Sequence, residues 1–279
     1  MSLKWLKNML SNSFFKETAL VEIDEKSVLI SGYKGYVGSS LLHNLPIQPV
    51  NKISNEKIDV FIHLGAVANA SSISALKQNI LTDSEVVLFC KENRIRLIYA
   101  SGNNVYPLEQ DCDEETTPLF ASDYYALSKI VGENLCRLTD GLNYVVLRFG
   151  DIFGKNQRHG NLFHALQNST SSRQPLKLYG KGLKTRNYIY IKELVRILRF
   201  FIRNENLSEK TFNVCFGTPF SVAEILSLLA QKTHLPIENI PFSDNASTRT
   251  MKNEKLIKAG YLFRYTMETA LKDWADEIG

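Results

Sequence analysis

Apolar residues recur along the chain in two alternating rhythms. Short apolar runs at Ser27–Ser31 (Ser-Val-Leu-Ile-Ser), Asp59–Leu64 (Asp-Val-Phe-Ile-His-Leu), Arg96–Ala100 and Tyr144–Phe149 have the length and composition of buried strands. Between them lie longer stretches with helical spacing: Tyr36–Leu45, stopped by Pro46, then Ser74–Asn93 and Asp123–Leu138. Such alternation predicts an α/β fold built on a doubly wound parallel sheet. After Gly154 the rhythm changes. Short strands near Leu176–Tyr179, Tyr188–Ile191 and Thr211–Val214 mix with helices at Lys192–Arg203 and Thr266–Glu277. Ser221-Val-Ala-Glu224 has the form of a capping box, in which Ser and Glu satisfy each other's backbone amides at a helix start.

Composition narrows the class. The chain has 279 residues, is 44% hydrophobic and carries a net charge of +4, as expected of a folded globular protein. Its Lys and Arg residues form no concentrated stripe, which argues against nucleic acid and suits a small anionic substrate. Cys90, Cys112, Cys136 and Cys215 form no CxxC and no metal-ligand spacing, so they read as free thiols of a cytoplasmic protein. No apolar run approaches the roughly 18 residues of a membrane span. Met1–Phe15 lacks the apolar core of a signal peptide, although Leu3, Leu6, Leu10 and Phe14 recur at helical spacing. That segment reads as a helix packed on its own protein or on a dimer mate, or as a membrane-surface contact through residues 3–15.

The first strand is followed by Gly32-Tyr-Lys-Gly35-Tyr-Val-Gly38 and then by a helix. Glycines allow a tight turn and a close backbone approach to a pyrophosphate, and the helix start offers N–H groups and the positive end of its dipole. Gly32, Gly35 and Gly38, with Lys34, Tyr36 and Val37, therefore predict a dinucleotide site, NAD or NADP. The stretch from Gly38 to His63 is too short for the usual helix–strand–helix, so at least one βα unit is missing. Gln48-Pro-Val-Asn51 is the one candidate for a shortened second strand, and no Asp or Glu directly follows it to hold the adenosine ribose. Lys34 either meets a 2′-phosphate, favouring NADP, or is solvated surface. The expected organisation is a helical extension (1–26), a dinucleotide-binding lobe (27–154) and a smaller intertwined lobe (155–279), some of whose segments return to the sheet.

Tyr125-Ala-Leu-Ser-Lys129 puts a phenol and an ammonium on one face of a helix. An unperturbed Tyr has a pKa of about 10, and a nearby cation favours its anion, so the pair has the makings of a general acid/base. Tyr188 and Lys192 share the same separation, but at a strand-to-helix junction late in the chain. The earlier pair, on the helix after the third strand, is the expected catalytic one.

In order, these motifs resemble the NAD-dependent epimerase/dehydratase branch of the extended short-chain dehydrogenase/reductases, across about Val28–Trp274. The resemblance rests on the glycine turn, Asp59-Val-Phe-Ile-His-Leu-Gly-Ala66, Asn79 and Tyr125-Ala-Leu-Ser-Lys129. It continues through Leu147-Arg-Phe-Gly-Asp-Ile-Phe-Gly154, Gly180-Lys-Gly-Leu-Lys-Thr-Arg186-Asn-Tyr-Ile-Tyr-Ile191 and Phe212-Asn-Val214. It implies a Rossmann lobe and a smaller substrate lobe, with cofactor contacts from Leu64, Gly65, Ala66, Asn79 and Lys129. It further implies a nucleotide-diphosphate sugar as substrate, contacted by Asn161 and Arg186, and a homodimer. Two departures bear on the chemistry. The family's Ser or Thr falls at Gly102, leaving Ser101, by a one-residue shift, or Asn103 and Asn104 as substitute donors. Asn103-Asn104 also replaces the Asp-Glu that 4,6-dehydratases use to expel water, and amides do not exchange protons in that way. The expected activity is hydride transfer at the sugar, by a 4-epimerase or a 4-keto reductase. A family member that binds a dinucleotide or nucleotide-sugar without turnover is the alternative, and a reductase of a non-sugar carbonyl a third reading.

Overall fold

The computed structural model describes residues 17–45, 48–49, 58–68, 71–116, 121–157, 162–172, 174–208, 210–230, 236–242 and 248–278. Asn161 and the amphipathic segment 3–15 lie outside the described residues. Strands β1 (Thr18–Ile23) and β2 (Lys26–Ser31) precede helix α1 (Tyr36–Asn44), and β3 (Gln48–Pro49) and β4 (Val60–His63) precede α2 (Ile73–Asn93). Then come β5 (Arg96–Gly102), a 3-10 turn at Asn103–Val105, β6 (Asp111–Cys112), α3 (Tyr124–Leu138), β7 (Tyr144–Phe149), β8 (Asp151–Phe153), α4 (Leu162–Ser172) and β9 (Leu176–Tyr179). The rest are β10 (Thr185–Arg186), β11 (Tyr188–Tyr190), α5 (Ile191–Arg203), β12 (Lys210–Val214), β13 (Phe220–Ser221), α6 (Val222–Ala230), β14 (Ile237–Ile240), β15 (Thr248–Met251), α7 (Glu254–Lys258) and α8 (Met267–Ile278).

The chain forms two compact units. Met1–Pro107, Thr117–Arg148 and Val195–Phe212 make the first; Leu108–Thr116, Phe149–Leu194 and Asn213–Gly279 make the second. Segments are thus exchanged across residue 154, with 108–116 in the second unit and 195–212 in the first.

A seven-stranded sheet runs in the order β12-β7-β5-β4-β2-β1-β3. At its centre β2, β4 and β5 are parallel, with Val28 opposite Val60 and Val60 opposite Arg96. Val28–Ile30 and Val60–Ile62 are fully buried, as strands covered on both faces must be. Leu29, Phe61, Leu97 and Val146 pack there with Val86, Phe89 and Cys90 of α2 and Cys136 of α3. Truncating Phe61 to Ala would cost about 3–5 kcal/mol. All four cysteines are buried free thiols.

The expectation of a helical extension through residue 26 fails at β1. Thr18–Ile23 pairs antiparallel with β2, from Thr18–Ser31 to Ile23–Lys26. Two residues with positive φ, Asp24 (51°) and Glu25 (65°), make the hairpin turn. A two-residue loop of this kind matches the twist of paired strands. The Asp24 carboxylate then accepts bidentate hydrogen bonds from Arg199 (2.5 and 2.7 Å) and Arg203 (2.7 Å to each oxygen), and Lys26 pairs with Glu205. The shortened second strand does form, as β3, but it pairs with β1 rather than β2. Strand β1 thus occupies the sheet position beside β2.

In the second unit the capping box forms as its sequence requires. Ser221 Oγ accepts from the Glu224 amide at 3.2 Å, and Glu224 Oε2 accepts from the Ser221 amide at 2.7 Å. This unit is held by Asn187, whose amide group donates to the Phe216 carbonyl and accepts from the Met251 N–H, at 2.8 and 2.9 Å.

Candidate active site

The glycine turn folds as its spacing demands. Gly32 adopts φ +68°, and a Cβ there would lie 2.8 Å from the Gly65 amide nitrogen. A Cβ on Gly38 would overlap the Gly32 carbonyl oxygen. Backbone therefore crosses backbone at van der Waals range, which only glycine permits. Gly35 is the N-cap of α1 and supplies no side-chain cap. Beside the turn lies a cavity of about 570 Å³; Ser31, Gly32, His63, Gly65, Ala66 and Asn79 are among its lining residues. Of the residues predicted to bind a cofactor, Gly32, Gly65, Ala66 and Asn79 thus share one cavity, whereas Tyr36 and Val37 sit in the first turn of α1. Lys34 is exposed, and its ammonium lies 3.8 Å from the Glu17 carboxylate.

Asn79 is buried, and it organises the loop after β4. Its Oδ1 accepts from the Val67 N–H at 2.8 Å; its Nδ2 donates to the Val67 carbonyl and to Ser128 Oγ, at 3.3 and 3.2 Å. One side chain thus ties α2, α3 and the Gly65–Val67 wall together.

Behind that wall runs a buried polar chain. The Gly65 N–H donates to Ser31 Oγ at 3.2 Å, and Ser31 Oγ lies 2.6 Å from His63 Nδ1. The serine hydrogen is thereby free to donate to Nδ1, so Nε2 carries the ring hydrogen and donates to Asp83 Oδ1 at 2.8 Å. Tyr99 donates to Asp83 Oδ2 at 2.6 Å, and Lys129 Nζ donates to Tyr99 Oη at 3.5 Å. Burial pushes the Asp83 carboxyl up, but the His63 hydrogen bond and the Lys129 charge outweigh it and hold the pKa below the ordinary value. The Tyr99 phenol is pushed well above its ordinary range by burial and by Asp83, so it stays a donor. The buried Lys129 ammonium has its counter-charge on Asp83, one phenol away. Gly132 makes room for this: a Cβ there would overlap the Tyr99 hydroxyl and lie 2.5 Å from Asp83 Oδ2.

Tyr125 and Lys129 both sit on α3, whose start Asp123 caps by accepting from the Ala126 amide. The Lys129 ammonium stands 5.8 Å from the Tyr125 ring centroid and 4.7 Å from that of Tyr99. Tyr125 is half-buried and Lys129 buried. Neither lines the 570 Å³ cavity.

Ser101 does not present a free hydroxyl. It is buried and donates to Glu133 Oε1 at 2.6 Å, and Glu133 also accepts the Arg148 guanidinium at 2.6–3.2 Å. Gly102 ends β5 in extended conformation, and Asn103 and Asn104 follow in the 3-10 turn, both half-buried. In the second unit Arg186 is buried and donates to the Thr185 carbonyl at 2.7 Å.

Pattern reading missed His63, Asp83, Tyr99 and Gly132. The signal was faint but present: Asp83 lies four residues after Asn79 on the face of α2 that buries Val86, Val87 and Cys90. An acid at core spacing requires a partner.

The family model described as the NAD dependent epimerase/dehydratase family matches residues 47–215. The chain belongs to this family. As a member it is 28% identical over 229 residues to a protein named uncharacterized UDP-glucose epimerase YtcB, from Bacillus subtilis (strain 168), with 78% of this chain and 72% of that one covered. It is 26% identical over 248 residues to ADP-L-glycero-D-manno-heptose-6-epimerase of Brachyspira hyodysenteriae, covering 81% of this chain and 77% of the relative. Among solved structures, MoeE5 in complex with UDP-glucose and NAD is similar with a TM-score of 0.74 at 21% identity, over 90% of this chain and 98% of that one. The UDP-glucose 4-epimerase of Thermus thermophilus in complex with NAD gives 0.71 at 18% identity, over 90% and 98%. These likenesses fix the Rossmann-type α/β fold. The family match begins after the glycine turn, so the N-terminal hairpin lies outside it.

Proposed function

We propose that the protein is an NAD(P)-dependent nucleotide-sugar epimerase or 4-keto reductase with Tyr125 as its acid/base. The observation that carries this reading is the Lys129 ammonium 5.8 Å from the Tyr125 ring, on a helix that Asn79, a lining residue of the cavity at Gly32, reaches through Ser128. When bound, the dinucleotide supplies hydride acceptance and return at a sugar carbon. Its pyrophosphate would fit the Gly32–Gly38 turn, where a Cβ at Gly32 or Gly38 would collide with backbone, and the uncapped start of α1. Asn79, Gly65 and Ala66 line the same cavity and would help hold the dinucleotide. Tyr125 takes the proton from the sugar hydroxyl as hydride leaves, and gives it back on return. Lys129 places positive charge 5.8 Å from the Tyr125 ring, on whose oxygen negative charge develops, and would hold the nicotinamide ribose.

Arg186 is assigned to the substrate diphosphate, which suits a guanidinium fork, and Asn161 to the sugar nucleotide. Asn103 and Asn104 supply hydrogen bonds in place of the missing hydroxyl at Gly102. Their amides disfavour dehydration. Exposed Ile73, Leu81 and Leu88 on α2 and Leu127 and Leu138 on α3 support a homodimer through these helices.

Tyr125→Phe, assayed over a panel of UDP-, dTDP-, GDP- and ADP-sugars, is expected to lower turnover by about 10²- to 10⁴-fold and leave dinucleotide affinity nearly intact. Undiminished turnover would remove Tyr125 from the mechanism. One observation favours the second reading, a binder without turnover: Ser101 is committed to Glu133, and Gly102 has no hydroxyl. Tight NAD(H) binding with no conversion anywhere in the panel would establish it.

A further inference from the structure

A doubly wound sheet binds its dinucleotide at the carboxyl ends of the strands, and the strand beside the first carries, at that end, the acid that holds the adenosine ribose. Here the neighbour of β2 is β1, which runs the other way. The edge of the sheet that faces the glycine turn therefore meets the beginning of β1 instead of the end of a parallel strand. Thr18 is paired with Ser31, the last residue of β2, and the Gly32 N–H donates to the Glu17 carbonyl at 2.9 Å. Glu17 is thus fixed by its backbone to the first glycine of the turn, and it lines the same cavity as Gly32 and Gly65. Its side chain is 65% exposed, and its ion pair with Lys34, at 3.8 Å, is loose.

We infer that Glu17 is the residue that holds the adenosine ribose hydroxyls, and that it sets a preference for NAD over NADP. This rests on the proposed dinucleotide site. The missing βα unit removed the usual donor of an acid, and the antiparallel N-terminal hairpin restores one from the opposite chain direction. A carboxylate accepts two hydrogen bonds from a vicinal diol. The same carboxylate repels a 2′-phosphate, and it stands 3.8 Å from Lys34, the cation of the turn. The hairpin is pinned at its far end by the Arg199 and Arg203 clamp on Asp24, so the position of Glu17 does not depend on its own side-chain contacts.

The test is calorimetric titration of NAD+ and NADP+ into the full chain and into Glu17→Gln and Glu17→Lys. The wild type is expected to bind NAD+ at least about tenfold more tightly than NADP+, and Glu17→Gln to weaken NAD+ by about tenfold. Glu17→Lys is expected to reverse the preference. Unchanged melting temperatures show that the exposed substitution leaves the fold intact. An unaltered NAD+/NADP+ ratio in both variants, or a wild type that prefers NADP+, overturns the assignment of Glu17 while leaving the dinucleotide site standing. A wild type that binds neither dinucleotide overturns both.

Discussion

Two tyrosine–lysine pairs with identical spacing occur in this chain, and their surroundings make them opposites. Lys129 is buried and, among the described residues, reaches its counter-charge on Asp83 through Tyr99. Lys192 is partly exposed and sits between Asp273 (2.7 Å) and Glu277 (3.0 Å), with Tyr190 donating to Asp273 as well. Two carboxylates neutralise Lys192 on the spot, so it has no field to lend to a phenol. Burial and the nearby Asp151 push Tyr188 above its ordinary pKa, the direction that opposes proton exchange at neutral pH. Tyr125 is half-buried beside a cation. Spacing brings groups to one face; what stands opposite that face decides whether they are chemistry or scaffold.

The sharpest way to break this contrast is to remove each phenol. Tyr125→Phe is expected to lower kcat by about 10²- to 10⁴-fold. Tyr188→Phe is expected to leave kcat within about twofold. Equal losses in steady-state assays would mean that the second pair is no bystander.

Removing the counter-charge comes next. Asp83→Asn strands the Lys129 charge in the interior and is expected to cost about 3–5 kcal/mol in urea unfolding at pH 7. The sign of its pH dependence follows from the depressed pKa of Asp83. The stability it contributes is complete above the unfolded carboxylate value of about 3.9 and is lost as pH falls toward the lower folded value. The wild type should therefore lose stability more steeply than Asp83→Asn below about pH 4. Parallel acid limbs would show that Asp83 is not the counter-ion.

A milder probe leaves every charge in place. Gly132→Ala puts a methyl group against Tyr99 and Asp83, and overpacking of this kind costs about 1–3 kcal/mol. Thermal unfolding should show a lowered Tm, with kcat falling in parallel as Lys129 shifts. A full Tm would mean that α3 yields freely.

The smallest effect belongs to the decoy. Lys192→Met removes a partly exposed ion pair and is expected to cost less than about 1 kcal/mol, without change in kcat. A large kinetic effect with an intact fold would dissolve the distinction between the two lysines.

Much of this was legible in the residues themselves. The glycine turn, the parallel strands and the Tyr125/Lys129 pair are local patterns, fixed by backbone sterics, burial period and helix geometry, and the structure shows each where its period placed it. The shortened second strand and the capping box at Ser221 were readable for the same reason. The alternation Leu20, Glu22 beside Val21, Ile23, followed by a two-residue Asp24-Glu25 turn, also announced a hairpin, but the helical rhythm upstream of it masked the signal.

What pattern alone could not supply was pairing across the fold. Ser31, His63, Asp83, Tyr99, Lys129 and Gly132 form one cluster although they are spread along the chain from position 31 to position 132. No local preference encodes which buried acid meets which buried base; that follows from strand order and from helices packing on one sheet face. The same holds for the exchange of a parallel strand for an antiparallel one beside β2, which decided that Glu17, from before the first strand, stands at the mouth of the glycine turn.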